Sequence, residues 1–418
     1  VISTSAQEAR RRPMPTLKNL AEGTPDFDRW TKVTQALDAL APGEQEAAVR
    51  EFEAASAHWP TTLDPWTGFS LAPGLELRRS PAHWVQEIYS GQYAPKHDAV
   101  RILESPRRPM RAQKLECLLD PAARLHNVTQ VGFDQAKVSG GFLKALKGEG
   151  TWQQWRALRL WTCDMKAPAL KLLGAADLRR LEQLNLEQNR MGEAGVMGLA
   201  KAPGFASLTA VHLGHNDLDA SAARALGQMD WVHRLTWLNL RYNKLQDAAL
   251  DLLSEGGATR RLRWLSLSQN QVGQTPSRWM SALPCLESLQ LNESAITAAG
   301  LEALLAQAPA LHTLNLAATR IGDQGAQAIA ASGRRFKALS LGTTGLTPAG
   351  LGAILRSPAA ADIERLELGD GLDLANAKLL VEGACPRLEF LWWHGPEMGE
   401  GAEAALRANP RIAATLPY

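Results

Sequence analysis

Seven side chains suited to gripping another molecule lie between residues 161 and 264: Trp161, His212, His215, Trp237, Arg241, Tyr242 and Trp264. Trp, Tyr and Arg dominate protein interfaces, where each can contribute at least about 2 kcal/mol. Arg159 precedes Trp161 by two residues, and Trp392 repeats the theme further along. The chemistry on offer is recognition rather than turnover. No GxxxxGK[ST] phosphate loop, HExxH or GxSxG motif occurs in the chain. His212 and His215 have no carboxylate or cysteine at ligand spacing, so neither a metal nor another cofactor is expected.

The elements that position these residues repeat. LEQLNLEQNRM, LTAVHLGHNDL, LTWLNLRYNKL and LRWLSLSQNQV start at Leu181, Leu208, Leu235 and Leu262, each 27 residues after the last. All fit LxxLxLxxNxL, the signature of a leucine-rich repeat. The same frame continues upstream from Val128 and Trp155, and downstream from Leu286, Leu311, Phe336, Ile363 and Leu388, at spacings of 24 to 27 residues. Helical segments such as GEAGVMGLAKA and TAAGLEALLAQAP fill the gaps. Thr297, Asp323 and Thr347 stand where N-caps belong, and Pro348 takes the favoured first helical position.

Strand followed by Gly-Ala-rich helix resembles the ribonuclease-inhibitor class of leucine-rich repeats over residues 128–408. The resemblance implies an α/β fold: a right-handed solenoid, or horseshoe, with a parallel concave β-sheet and convex helices. The template leucines at positions 4 and 6 bury on one face, because strand side chains alternate with period two. Positions 3, 5 and 7 face the open side and owe nothing to the core. The seven residues above fall on nearly consecutive units, so they are expected to form one open patch. The small polar surface of 311–345 is not expected to anchor a partner. Position 9 gives a structural ladder, Asn189, Asn216, Asn243 and Asn270, whose amides can satisfy turn backbone groups. Beyond it stand Ser294, Thr319, Thr344, Gly371 and Pro396, so the ladder is expected to weaken toward the C-terminus.

Residues 1–16 read as a disordered lead-in, 17–74 as a helical region and linker, 75–127 as degenerate capping repeats, and 409–418 as a tail. Phe27, Trp30, Val33, Leu37 and Leu40 recur at helical spacing, Pro42–Gly43 breaks the pattern, and 44–57 are strong helix formers. Residues 105–114, SPRRPMRAQK, form a basic loop.

Net charge is +2, from 45 Lys+Arg and 43 Asp+Glu, so nothing drives the chain toward nucleic acid or an anionic membrane. No run reaches the roughly 18 apolar residues that span a bilayer. The polar, basic N-terminus, which begins with Val, has no signal-peptide core. Cys117, Cys163, Cys285 and Cys385 form no CxxC pair, and thiols suit a reducing cytosol, so a cytoplasmic location is expected. Cys163–Asp164 and Cys117-x-x-Asp120 lack the Cys-x-Asp spacing of bacterial leucine-rich-repeat ubiquitin ligases. The Ala- and Trp-rich composition suggests a bacterial source.

The expected function is a non-enzymatic scaffold or adaptor that holds a protein partner on the concave sheet. Two alternatives stand beside it. One is a regulator of a partner enzyme, GTPase-activating-like or inhibitory. The other is an effector or sensor whose activity lies in, or is released from, the N-terminal region.

Overall fold

The computed structural model describes residues 27–55, 102–104, 116–119, 125, 127–275, 277–369, 372–393 and 401–413. The lead-in 1–16, the linker at 58–74, the stretch 75–101 and the basic loop 105–114 lie outside these, as do Gly371 and Pro396. The chain divides into two compact units. One falls within 1–163 plus 176–181, the other within 164–175 plus 182–418.

In the first unit, helices α1 (Phe27–Asp38) and α2 (Pro42–Ala55) bury Trp30, Val33, Leu37, Val49 and Phe52. The Trp30 and Phe52 rings lie 6.0 Å apart. Gln45 Nε2 donates to the carbonyls of Leu37 and Leu40, tying α2 to the end of α1. Strands β1 (Ile102–Glu104), β2 (Gln130–Asp134) and β3 (Ala157–Trp161) pair in parallel, β1 with β2 and β2 with β3. Helix α3 (Gly140–Ala145) starts at a Ser139 N-cap and sets Phe142 edge-on against Phe133 at 6.0 Å.

The second unit holds nine parallel strands in chain order: β4 (Gln183–Asn185), β5 (Ala210–His212), β6 (Trp237–Asn239), β7 (Trp264–Ser266), β8 (Ser288–Gln290), β9 (Thr313–Asn315), β10 (Ala338–Leu341), β11 (Arg365–Leu368) and β12 (Phe390–Trp393). Each begins at the third template position. Parallel neighbours need a crossover between them. Helix α4 (Ala167–Gly174) precedes β4, the crossovers include α5 (Gly192–Gly198), α6 (Ala220–Gly227), α7 (Asp247–Ser254), α8 (Ala298–Gln307), α9 (Gly322–Ala331), α10 (Pro348–Leu355) and α11 (Leu374–Val381), and α12 (Ala402–Ala408) and α13 (Pro410–Ala413) follow the last strand. The strand leucines, such as Leu238, Leu240, Leu265 and Leu267, are buried with the apolar faces of the helices. Neighbouring helices approach closely: a Cβ on Gly227 would meet the Leu253 carbonyl oxygen at 2.7 Å. Such a stack is an open leucine-rich-repeat solenoid, in which no single unit closes a core alone.

Two local features depart from the sequence-based expectation. Asp323 is not an N-cap. It sits inside the first turn of α9, whose cap is Ile321, and its carboxylate accepts from Thr347 N at 2.9 Å and Thr347 Oγ1 at 2.6 Å in the next unit. These bonds hold its carboxyl below the usual carboxylate range. Thr297 and Thr347 do cap α8 and α10. The unit from Leu262 has only a 3-10 turn, Arg278–Ala282, in its helix place. Carboxylates of α7 hold that loop instead. Asp247 accepts from Gly273 N and Trp279 Nε1, and Asp251 from Ser277 Oγ and Trp279 N.

After each strand the chain turns sharply. The eighth template residue is left-handed in every unit from Val128 to Phe336, with φ between 53° and 61°, although none is glycine. The ninth residue secures the turn. Asn189 Nδ2 donates to Leu186 O and Glu187 O while Oδ1 accepts from Met165 N in the preceding unit. Asn216 accepts from Asn189 N, Asn243 from Asn216 N and Leu218 N, and Asn270 from Leu245 N. The Asn189, Asn243 and Asn270 amides therefore bond their own turn and the unit before it, and the Asn216 amide bonds the unit before it through both its oxygen and its nitrogen. Thr319 and Thr344 keep only the bond within their own turn, to Leu316 O and Leu341 O. The Ser294 hydroxyl is buried with no hydrogen-bond partner.

Candidate functional site

Arg159 and Trp161 lie in the first unit, at the end of β3. Arg159 Nη2 reaches Asp134 Oδ2 on β2 at 2.8 Å, and Trp161 is half-buried. The remaining candidates lie in the second unit. Ala210, Trp237, Trp264 and Ser288 are register partners across β5–β8, as are His212, Asn239, Ser266 and Gln290. Because Leu238 and Leu265 point into the core, the two indoles point to the opposite, open side. They stack with ring centroids 4.0 Å apart and planes 4° from parallel, and His212 lies 4.0 Å from Trp237 on its other side.

The open patch expected here is in large part closed. Trp237 is 1% exposed and His212 5%, leaving Trp264 as the half-exposed end of the stack. Strand spacing of about 4.8 Å brings aromatic side chains on adjacent strands into van der Waals contact, so each covers its neighbour. Burial, reinforced by the Arg241 charge, holds the His212 imidazole well below its ordinary pKa and therefore neutral. Trp237 and His212 thus form the buried backing of the face.

The exposed rings of this face stand at the strand ends. The His215 and Tyr242 rings stack at 3.8 Å, 15° from parallel, carried outward by their left-handed backbones. Tyr242 is 52% exposed. His215 is held below its ordinary pKa by partial burial and the Arg241 charge, against a smaller opposing pull from Glu187. Arg241 crosses an entire strand to meet Glu187: its Nε donates to Oε1 at 2.8 Å and Nη2 bonds the same oxygen. Gly214, just past the end of β5 in the unit between, makes the crossing possible. A Cβ there would lie 2.9 Å from Arg241 Cγ and 3.3 Å from Glu187 Oε1. Gly214→Ala is therefore expected to displace Arg241 and destabilise the protein by about 1–3 kcal/mol. Arg241→Gln should then cost stability in the wild-type background and nothing further in Gly214→Ala. An equal cost in both backgrounds would show that the crossing does not depend on the glycine.

A second feature of this unit was not anticipated. The open side of β8–β12 holds a groove of about 410 Å³. Its floor is the set of small and polar residues dismissed in the sequence, Thr313, Asn315, Ala338 and Ser340. Phe390 and Trp392 form one wall, 40% and 38% exposed and 5.9 Å apart. Arg365 and Glu367 lie between floor and wall. Their register pairs Ala338 with Arg365 and Phe390, and Ser340 with Glu367 and Trp392. The sequence signal was available: positions 3 and 5 of the last three units run from small to large. Small residues looked like a lack of chemistry, whereas next to large ones they make a depression.

A family model described as Leucine Rich repeat matches residues 282–305 and 308–330. The chain carries leucine-rich repeats. No curated protein matches it. Solved structures similar to the repeat chain include the mouse RP105/MD-1 complex, at 16% identity over 73% of this chain and 48% of that one, TM-score 0.44. An internalin, inlF, from Listeria monocytogenes is similar at 13% identity over 76% and 89%, TM-score 0.44. The yeast Rad7 and Elc1 complex is similar at 14% identity over 89% and 88%, TM-score 0.45. The chain spans about half the length of the RP105/MD-1 chain it matches. No helix among the described residues is long and apolar enough to cross a membrane.

Proposed function

We propose that this leucine-rich-repeat protein is a non-enzymatic scaffold that holds a protein partner on the open face of its sheet. The observation that carries the proposal is where large apolar side chains are left in solvent. Five are exposed among the described residues, and three of them, Tyr242, Phe390 and Trp392, stand on that face or its rim. Exposed aromatics beside an arginine are the composition of an interface core. Tyr242 is also mounted beside Asn243, whose amide bonds its own turn and the one before it, which limits the ordering entropy lost on binding. The strand–loop–helix units favour the ribonuclease-inhibitor class. Cys163, Cys285 and Cys385 are thiols, which favours the reducing cytoplasm.

Affinity capture with the full chain, followed by quantitative binding of the captured partner, tests this. Tyr242→Ala with Arg241→Ala should weaken binding about 30-fold or more. Met197→Ala, which removes an exposed side chain on helix α5, should leave it unchanged. A partner whose affinity no open-face substitution alters would remove the sheet from the function.

A further inference from the structure

The groove over β8–β12 carries more chemistry than a generic docking face. We infer that it is a peptide-binding site that takes an acidic side chain on Arg365 and a nearby aromatic or apolar side chain against Phe390 and Trp392. This rests on the proposed protein-binding role of the open face and narrows it to one partner chemistry. A volume of about 410 Å³ suits one or two side chains of an extended segment rather than a folded surface.

Charge decides what kind of segment. Among the described residues only two charged ones line the groove, Arg365 and Glu367. Glu367 is engaged: Ser340 Oγ donates to its Oε2. The exposed Arg365 guanidinium has no hydrogen-bond or ion-pair partner among the described residues. Its planar fork of N–H donors matches a carboxylate in two-point geometry. Asn315 adds donors on the floor, because its Oδ1 is used by Ala317 N while its NH2 group remains available. The donors left without a partner among the described residues are thus the Arg365 guanidinium and the Asn315 NH2 group, and a carboxylate is the acceptor that matches the charged one.

Spacing decides the order of side chains. Arg365 and Phe390 are register partners about 4.8 Å apart across the sheet, and Trp392 lies two residues beyond Phe390, a further 6.6 Å or so along its strand. In an extended peptide, side chains two residues apart on one side are separated by about 6.6 Å. The occupant is therefore an acidic–x–aromatic segment.

The test uses the full chain labelled with 5-fluorotryptophan, with the Trp392 fluorine line assigned from Trp392→Phe. The probes are the blocked peptides acetyl-Gly-Glu-Ser-Phe-Gly-amide and its glutamine analogue. The glutamate peptide should shift the Trp392 line saturably, and the glutamine peptide should bind about tenfold more weakly or worse. Arg365→Gln should abolish that difference while leaving the other tryptophan lines in place, which shows that the fold is retained. The inference is overturned if the two peptides titrate alike, if neither moves the line at millimolar concentration, or if Arg365→Gln changes nothing. A response only to a neutral oligosaccharide such as maltohexaose would overturn it too, by assigning the groove to sugars. Failure here with Tyr242- and Arg241-dependent partner binding intact sinks the groove alone. Partner binding indifferent to every open-face substitution sinks the scaffold proposal beneath it.

Discussion

Trp237→Ala is expected to destabilise the protein by about 3–5 kcal/mol, before any partner is added. The side chain is 1% exposed, lies between His212 and Trp264, and stacks on Trp264 within 4° of parallel. Its removal would lose the burial and a stacking contribution of about 0.5–1.5 kcal/mol, and would open a cavity over the sheet. Trp237→Phe gives the contrasting case. The Trp237 Nε1 is buried with no hydrogen-bond partner. An orphaned donor of that kind costs about 1–3 kcal/mol, so deleting it offsets much of the smaller ring's lost packing. Trp237→Phe should therefore cost under about 1.5 kcal/mol. Urea denaturation of both variants checks this through their midpoints at unchanged slope. If alanine at 237 left stability intact but abolished partner binding, Trp237 would be a contact residue after all and its placement as backing would fall.

That distinction marks how much the sequence could say. The repeat frame was fully legible: β2 through β12 each begin at the third template position, because leucines at fixed spacing force one alternation throughout. The side of the sheet was legible for the same reason, and Trp237 and Trp264 do oppose Leu238 and Leu265. Exposure was not legible. Whether a side chain on the open side is free depends on what stands one strand away, and that comes from register between units rather than from any local pattern. Two indoles in register closed over each other and sealed His212, whereas Phe390 and Trp392, whose register partners on β11 are the charged Arg365 and Glu367, stayed open. Gly214 shows the same limit. Its role is visible only when Glu187 and Arg241 are placed on either side of it. Asp323 fails differently. An aspartate ahead of a helix reads as a cap, but here Gly322 begins the helix and the carboxylate serves the following unit.

The position-nine residues should divide the repeat array into two stability classes, and Asn270→Ala is where the larger effect falls. Asn270 is 1% exposed. Its Oδ1 accepts from Leu245 N at 3.1 Å, and its Nδ2 donates to Leu240 O, Leu267 O and Ser268 O at 2.9, 3.1 and 3.2 Å. Leu240 O and Leu245 N belong to the preceding unit, so alanine there cuts a turn and an interface together. It also leaves a left-handed Gln269 (φ 57°) without the bonds that hold its turn. A loss of about 2–4 kcal/mol is expected. Thr344→Ala removes one bond, to Leu341 O at 2.9 Å, with none to a neighbouring unit, and should cost about 1 kcal/mol. Asn270→Thr should fall between, because a hydroxyl restores the bond within the turn but cannot span two units. In a quasi-one-dimensional array, stability is a sum of unit and interface contributions, so the two classes should also separate by position. Native-state hydrogen exchange reads this directly. Asn270→Ala should lower protection in the units from Leu235 and Leu262 alike, whereas Thr344→Ala should lower it in its own unit only. Equal losses for the two variants, or protection lost only around residue 270, would show that the amides hold single turns and do not couple one repeat to the next.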